Sequence, residues 1–176
     1  MPSERVRDLG LFVDILRTLE AIGAPYMIIG AFAGTVYGVT RVTYDIDIVV
    51  DLCERHIQAL AAAYPPPRYY ADPMQMRDSV RLGIKVNIID SSRGEKAALV
   101  PLTMASRYRE AFQRRVRQTV EIPGAEPFEV WCARPEDVIV GKLMAWIEGR
   151  SRKHETDLRD DGLLLPGRRS SFERCL

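Results

Sequence analysis

Asp45 and Asp47 sit in an alternating segment, Thr43-Tyr44-Asp45-Ile46-Asp47-Ile48-Val49-Val50. Side chains repeat every two residues along a strand. The two carboxylates therefore share one face, about 6.6 Å apart along the chain, while Ile46, Ile48 and Val50 share the other. Two acids so placed repel unless something cationic sits between them. One or two magnesium ions would serve, because hard cations take carboxylate oxygens. The plainer alternative is a solvated strand face that merely continues to Asp51. Upstream, the apolar run Tyr26-Met27-Ile28-Ile29 stops at Gly30. There the chain turns from strand to helix among small residues, Gly30, Ala31, Ala33 and Gly34. Small residues let a ligand reach free backbone N–H groups, and a helix N-terminus favours phosphate. The stretch pairs a phosphate cradle with a metal-binding carboxylate pair.

Gly30-Ala31 followed by Arg41-x-Thr43-x-Asp45-x-Asp47 resembles the nucleotidyltransferase superfamily. The nearest likeness is to its bacterial AbiEii/MenA-like and minimal branches, many of which act as toxins of toxin–antitoxin pairs. The resemblance spans roughly residues 1 to 161. It implies a short twisted mixed sheet with the carboxylates exposed at its edge. It also implies that Asp45 and Asp47 hold Mg2+, and through it the triphosphate of an NTP. In two-metal chemistry the ions lie about 3.5–4 Å apart and clamp the attacking and leaving oxygens. The family usually has Gly-Ser or Gly-Gly where this chain has Gly30-Ala31; Ala31 keeps its backbone N–H and lacks the hydroxyl. Arg41 and Thr43 lead into the acids. Arg41 is either a phosphate contact or a surface charge balancing Asp45 and Asp47.

The family's third carboxylate sits mid-strand in an apolar-acid-apolar setting. The matching segment is Lys85-Val86-Asn87-Ile88-Ile89-Asp90, and the matching position holds Asn87. An asparagine offers a carbonyl oxygen to a metal but takes no proton as a base. Asp90, three residues on, points to the opposite face of a regular strand unless a bulge intervenes. Three possibilities stay open: Asp90 substitutes, the third acid is dispensable, or nucleotide binds without efficient transfer. By the same resemblance, Lys142 on a mostly apolar helix, then Arg150 or Lys153, then Asp157 on the next helix, line the nucleotide pocket. For Lys142 the alternative is a snorkelling surface lysine. The acceptor implied is a tRNA end or a partner-protein hydroxyl, and the partner a cognate antitoxin.

The run Arg107, Arg109, Arg114, Arg115 and Arg117 is the densest in positive charge. It suits an RNA backbone, with salt-dependent affinity, or a plain solvated face. A non-catalytic RNA-binding module is thus a separate reading. Tyr69, Tyr70 and Tyr108 are of a type that stacks on bases, without spacing to support it.

The elements follow from periodicity. A helix is expected from Ser3 to Ile22, and a buried strand at Tyr26–Ile29. A short helix over Ala31–Tyr37 and a strand over Thr43–Val50 come next. A helix over Glu54–Ala63 is closed by Pro65-Pro66-Pro67. Asp72-Pro73 opens a short helix to about Asp78. Ser79–Leu82 and Ile84–Ile89 read as two strands around Gly83. Ser91–Tyr108 reads as loop and weak helix. A hairpin spans Arg114–Ile122 and Phe128–Cys132. A helix starts at Pro135 and runs to about Gly149, a second spans about Arg150–Asp160, and an irregular tail begins at Gly162, broken by Pro166.

The expected class is α+β, a small mixed twisted sheet flanked by helices. Its core would be residues 1–133, completed by a helical segment at 134–161, with a tail at 162–176. The 176 residues suffice for one domain, and 47% hydrophobic content suffices for a core. A net charge of +1 demands neither nucleic acid nor membrane as partner. Cys53, Cys132 and Cys175 form no close pair, which argues against a disulfide framework or zinc and fits a reducing cytoplasm. The N-terminus carries no signal-peptide pattern, and no apolar run nears the roughly 20 residues of a membrane span.

Overall fold

A computed structural model describes residues 9–37, 46–104, 106–121 and 126–149, with backbone alone at 146, 148 and 149. Expectations for Ser3, the residues from Gly38 to Asp45, the 122–125 turn, the helix after 149 and the tail lie outside these residues. Among the described residues, helix α1 spans Gly10–Ala21, strand β1 Tyr26–Ile29, α2 Gly30–Val36, β2 Asp47–Val50 and α3 Glu54–Ala63. Then come β3 Tyr69–Tyr70, α4 Pro73–Leu82, β4 Val86–Asp90, β5 Glu95–Pro101, α5 Arg109–Gln113, β6 Val116–Val120, β7 Phe128–Cys132 and α6 Pro135–Gly149.

The strands form one mixed sheet in the order β3-β4-β5-β2-β1-β7-β6. β2 runs antiparallel to β1 and parallel to β5, and β4 runs antiparallel to β5. α1 forms because Leu11, Phe12, Ile15, Leu16 and Leu19 recur at helical spacing and are all buried. A buried Leu or Ile side chain of this kind contributes about 1.5–3 kcal/mol. The first turn of α1 is held by Glu95, whose Oε2 accepts from Leu11 N at 3.2 Å. α1 packs on β5 and α3, α3 on α4, and α4 on β4, while α2 packs on β1, β6 and α6.

Two expectations fail. Ser79–Leu82 is not a strand but the last turn of α4. The helix starts where Asp72 accepts from Met74 N, and it continues because Gly83 can close it. Gly83 adopts φ +68°, and its N–H returns to the Ser79 carbonyl at 2.8 Å. Ser79 is buried, with its hydroxyl on the Ile84 carbonyl. The second failure is Ser91–Tyr108, which holds β5, a central strand, rather than loop and weak helix. Glu95-Lys96-Ala97-Ala98 has poor intrinsic β-propensity; pairing on both sides, with β2 and β4, overrides it. β3, two residues paired with β4, and α5 are further elements that periodicity did not show.

Candidate active site

The site is built by strand register. Asp47 of β2 pairs with Ala98 of β5, and Ala98 pairs with Asn87 of β4. Residues directly opposite on neighbouring strands point to the same face of a sheet. Asp47, Ala98 and Asn87 therefore form one row, with a methyl group in the middle. The strand residues alternating with them, Ile48, Leu99 and Ile88, are fully buried on the other face. Asn87 is exposed and Asp47 half-buried.

Asp47 also pairs with Ile29 of β1, the residue before Gly30. Gly30 adopts φ +72°, a left-handed conformation that L side chains rarely take. A Cβ built there would lie 3.5 Å from Asp47 Oδ2. The strand-to-helix turn and the carboxylate are thus direct neighbours, which the linear sequence only suggested.

Lys85 completes the cluster. Its Nζ donates to Asp47 Oδ1 at 2.7 Å, with side-chain exposures of 56% and 30%. Sequence reasoning passed over this residue. The available signal was its spacing: Lys85 stands two positions before Asn87, hence on the same face of the chain.

Asp90 does not join them. Its side chain is 1% exposed and occupied on every side. Arg68 donates to Oδ2 through Nε at 3.2 Å and Nη2 at 2.9 Å. Ser92 donates to Oδ1 through N at 2.9 Å and Oγ at 2.6 Å, and Arg93 N does so at 3.3 Å. Above all the Arg68 guanidinium, then the Ser92 and Arg93 donors, hold this carboxyl well below the usual range against the opposing cost of burial. β4 is regular, so no bulge turns Asp90 toward Asn87. Asp90 therefore faces away from Asn87, and its oxygens are taken by Arg68, Ser92 and Arg93.

Lys142 is 7% exposed and so is not a snorkelling surface lysine. It stands on α6, the helix that packs against α2, whose first residues are Gly30 and Ala31. Arg41, Thr43, Asp45, Arg150, Lys153 and Asp157 lie outside the described residues. Three arginines of the run, Arg114, Arg115 and Arg117, are engaged within the fold. Arg114 pairs with the α6 residue Asp137. Arg115 stacks on Phe112 and Trp131, with its guanidinium carbon 4.2 and 4.8 Å from the ring centroids. Arg117 lies over Trp131 at 4.9 Å and pairs with Glu20. Tyr69 and Tyr108 are likewise covered by Arg68 and Arg107.

The donors described at the site are the Asp47 carboxylate and the Asn87 carboxamide oxygen. Both are hard oxygen donors of the type magnesium takes. Among the described residues no three His, Cys, Asp or Glu side chains cluster as a closed metal centre.

No protein-family profile and no curated protein matches the sequence. Solved structures do match. ANT(2'')-Ia in complex with adenylyl-2''-tobramycin superposes with a TM-score of 0.52 at 19% identity, over 88% of this chain and 87% of that one. The solution structure of the antibiotic-resistance factor ANT(2'')-Ia gives 0.51 at 17%, over 88% and 82%. JHP933 from Helicobacter pylori gives 0.50 at 15%, over 90% of this chain and 66% of that one, so this chain spans about two thirds of JHP933. Likeness at such identity establishes the fold: a mixed sheet flanked by helices, of the architecture seen in these proteins. No helix of the described residues is long and apolar enough to cross a membrane.

Proposed function

We propose that the chain is a magnesium-dependent nucleotidyltransferase. It would move a nucleoside monophosphate from an NTP to a hydroxyl acceptor and release pyrophosphate. The observation that carries this reading is the row Asp47–Ala98–Asn87, accessible at Asp47 and Asn87, with the Gly30 turn against Asp47. It stands on a fold shared with ANT(2'')-Ia, a protein solved with an adenylylated antibiotic. Asp47, with Asp45, would hold Mg2+, whose contribution is Lewis-acid neutralisation of phosphate charge. Gly30 and Ala31 offer backbone N–H groups to phosphate, and Lys142 a point charge. Arg41, Thr43 and Asp157 are assigned to the nucleotide on the family resemblance. Asn87 accepts a hydrogen bond from an incoming hydroxyl but takes no proton. The acceptor is a tRNA end, a protein hydroxyl or, as ANT(2'')-Ia suggests, a small polyol. With the first two goes a toxin role beside a cognate antitoxin.

A second reading, a nucleotide-binding protein with weak transfer, is favoured by Asn87 and by the Lys85–Asp47 pair. The test is incubation of the pure protein with each α-labelled NTP, magnesium, and either total tRNA or mixed aminoglycosides. Label on an acceptor from at least one NTP supports transfer. Binding without transfer supports the second reading, and no binding of any NTP overturns both.

A further inference from the structure

We infer that Tyr70, Ile89 and Lys96 form the acceptor seat of this site, and that the acceptor they fit is the single-stranded end of a nucleic acid. This rests on the nucleotide reading above and adds to it the acceptor's place and class.

Place follows from the sheet. The Gly30 turn, proposed to take phosphate, stands on the β1 side of Asp47. The attacking and leaving oxygens of a phosphoryl transfer lie roughly in line. The acceptor therefore comes from the other side of Asp47, over β5, β4 and β3. There the register sets a second row beside Asp47–Ala98–Asn87. Lys96 pairs with Ile89, and Ile89 pairs with Tyr70. Lys96 is two residues from Ala98, and Ile89 is two from Asn87. Both rows thus share one face, about 6.6 Å apart along the strands.

Class follows from the side chains. On this face of β2, β3, β4 and β5, Asp47 is the one acid among the described residues, and Lys85 answers it. Lys96 is exposed, without a hydrogen-bond or ion-pair partner among the described residues. The row is cationic, which suits a phosphate and opposes the amines of an aminoglycoside. Tyr70 is 45% exposed. Arg68 lies over the ring of Tyr69 and Arg107 over that of Tyr108. Of these three tyrosines, Tyr70 alone keeps its ring uncovered by an arginine among the described residues. Gln75 donates to its hydroxyl and so holds the far end of the ring. Ile89, half-buried, lies between Tyr70 and Lys96 as an apolar floor.

A lysine for phosphate and an aromatic ring for the base is how single strands are held without sequence readout. Three strand spacings, about 14 Å, separate Asp47 from Tyr70. A stacked strand advances about 3.4 Å per nucleotide, so an end of a few nucleotides spans the seat. Its terminal hydroxyl oxygen forms the bond to the α-phosphorus as the bond to pyrophosphate breaks. The proton passes to water, because Asn87 takes none.

The experiment titrates fluorescein-labelled single-stranded RNA and DNA octamers of random sequence, each with a free 3′ hydroxyl, into parent, Tyr70→Ala, Tyr70→Phe, Lys96→Met and, as a surface control, Arg81→Met. Binding is read by anisotropy in Mg2+ with a non-transferable α,β-methylene NTP, and NTP affinity and melting temperature are measured beside it. The parent should bind at least one kind of strand. Tyr70→Ala and Lys96→Met should each bind it about tenfold more weakly, while Tyr70→Phe and Arg81→Met bind as the parent does. Lys96→Met should also lower the slope of log affinity against log salt by about 0.7. NTP affinity and melting temperature should hold throughout. Strand affinity unchanged in both Tyr70→Ala and Lys96→Met would overturn the seat. So would NTP binding without strand binding, or calorimetric binding of tobramycin that Lys96→Met strengthens. Nucleoside monophosphates that bind as tightly as the octamers, with the same loss in Tyr70→Ala, would overturn the chain end as the acceptor. In each of these cases the nucleotide reading stands. If the parent binds neither NTP nor strand, both fall. Should Tyr70→Ala unfold, Tyr70→Leu carries the same comparison.

Discussion

Asn87 and Asp90 are three residues apart on β4 and stand on opposite faces of the sheet. Asn87 is exposed in the row with Asp47, whereas Asp90 is 1% exposed beneath Arg68 and the Ser92 turn. The two residues that compete for the part of third acid thus have separate tasks. One stands in the proposed site, and the other ties β4 to the segment before β3.

Asp90 should therefore matter to stability and not to nucleotide. Asp90→Asn removes the charge that Arg68, Ser92 and Arg93 all address, at a cost of about 1–3 kcal/mol. The folded carboxyl titrates below the unfolded one, so its contribution is full above the ordinary carboxylate range. It declines as pH falls through about 4 and lower. Urea unfolding from pH 7 to pH 2 should show a steep loss below about pH 5 in the parent and a shallower one in Asp90→Asn. Parallel curves would show that Asp90 is not the linked group.

Gly30 separates backbone strain from site contact. Alanine at a left-handed position costs roughly 1–2 kcal/mol. The added Cβ would sit 3.5 Å from Asp47 Oδ2, an ordinary contact rather than a clash. Gly94 has φ +68° with nothing within 4 Å of its Cβ position, and so serves as a control. Gly30→Ala and Gly94→Ala should lower the melting temperature alike, and only Gly30→Ala should weaken NTP binding. Equal NTP affinity in the two variants would remove Gly30 from the site.

Asn87→Asp tests whether the missing acid limits transfer. A carboxylate here restores a proton acceptor beside the row, and general bases contribute about 10²–10⁴-fold. Turnover of labelled NTP should rise while NTP affinity stays within a few-fold. An unchanged or reduced rate in a parent with measurable activity would show that no acid is needed at this position.

Much of this was legible beforehand, and the misses share a cause. β1 and α3 were read to the residue. A continuous apolar run bounded by Pro25 and Gly30 leaves little else for the first, and the proline triplet stops the second. Ser79-Val80-Arg81-Leu82 alternates like a strand, yet it continues a helix already capped at Asp72 and closed at Gly83. β5 was invisible because its alanines, lysine and glutamate say nothing locally. Its strand character comes from β2 and β4 on either side. That omission hid the site's geometry: Asp47 and Asn87 were both singled out, but without β5 nothing placed them in one row. Lys85 was missed although its two-residue spacing from Asn87 was in plain view.

The central claim is that Asp47 belongs to a nucleotide site and not to the framework. Asp47→Asn gives up one partly exposed ion pair, worth about 0–1 kcal/mol, so folding should survive it. The direct measurement is equilibrium binding of each NTP in Mg2+ to parent and variant, with melting temperatures recorded without metal. The account predicts that the parent binds at least one NTP and that Asp47→Asn binds it at least tenfold more weakly at an unchanged melting temperature. Equal affinity in the two proteins would contradict it.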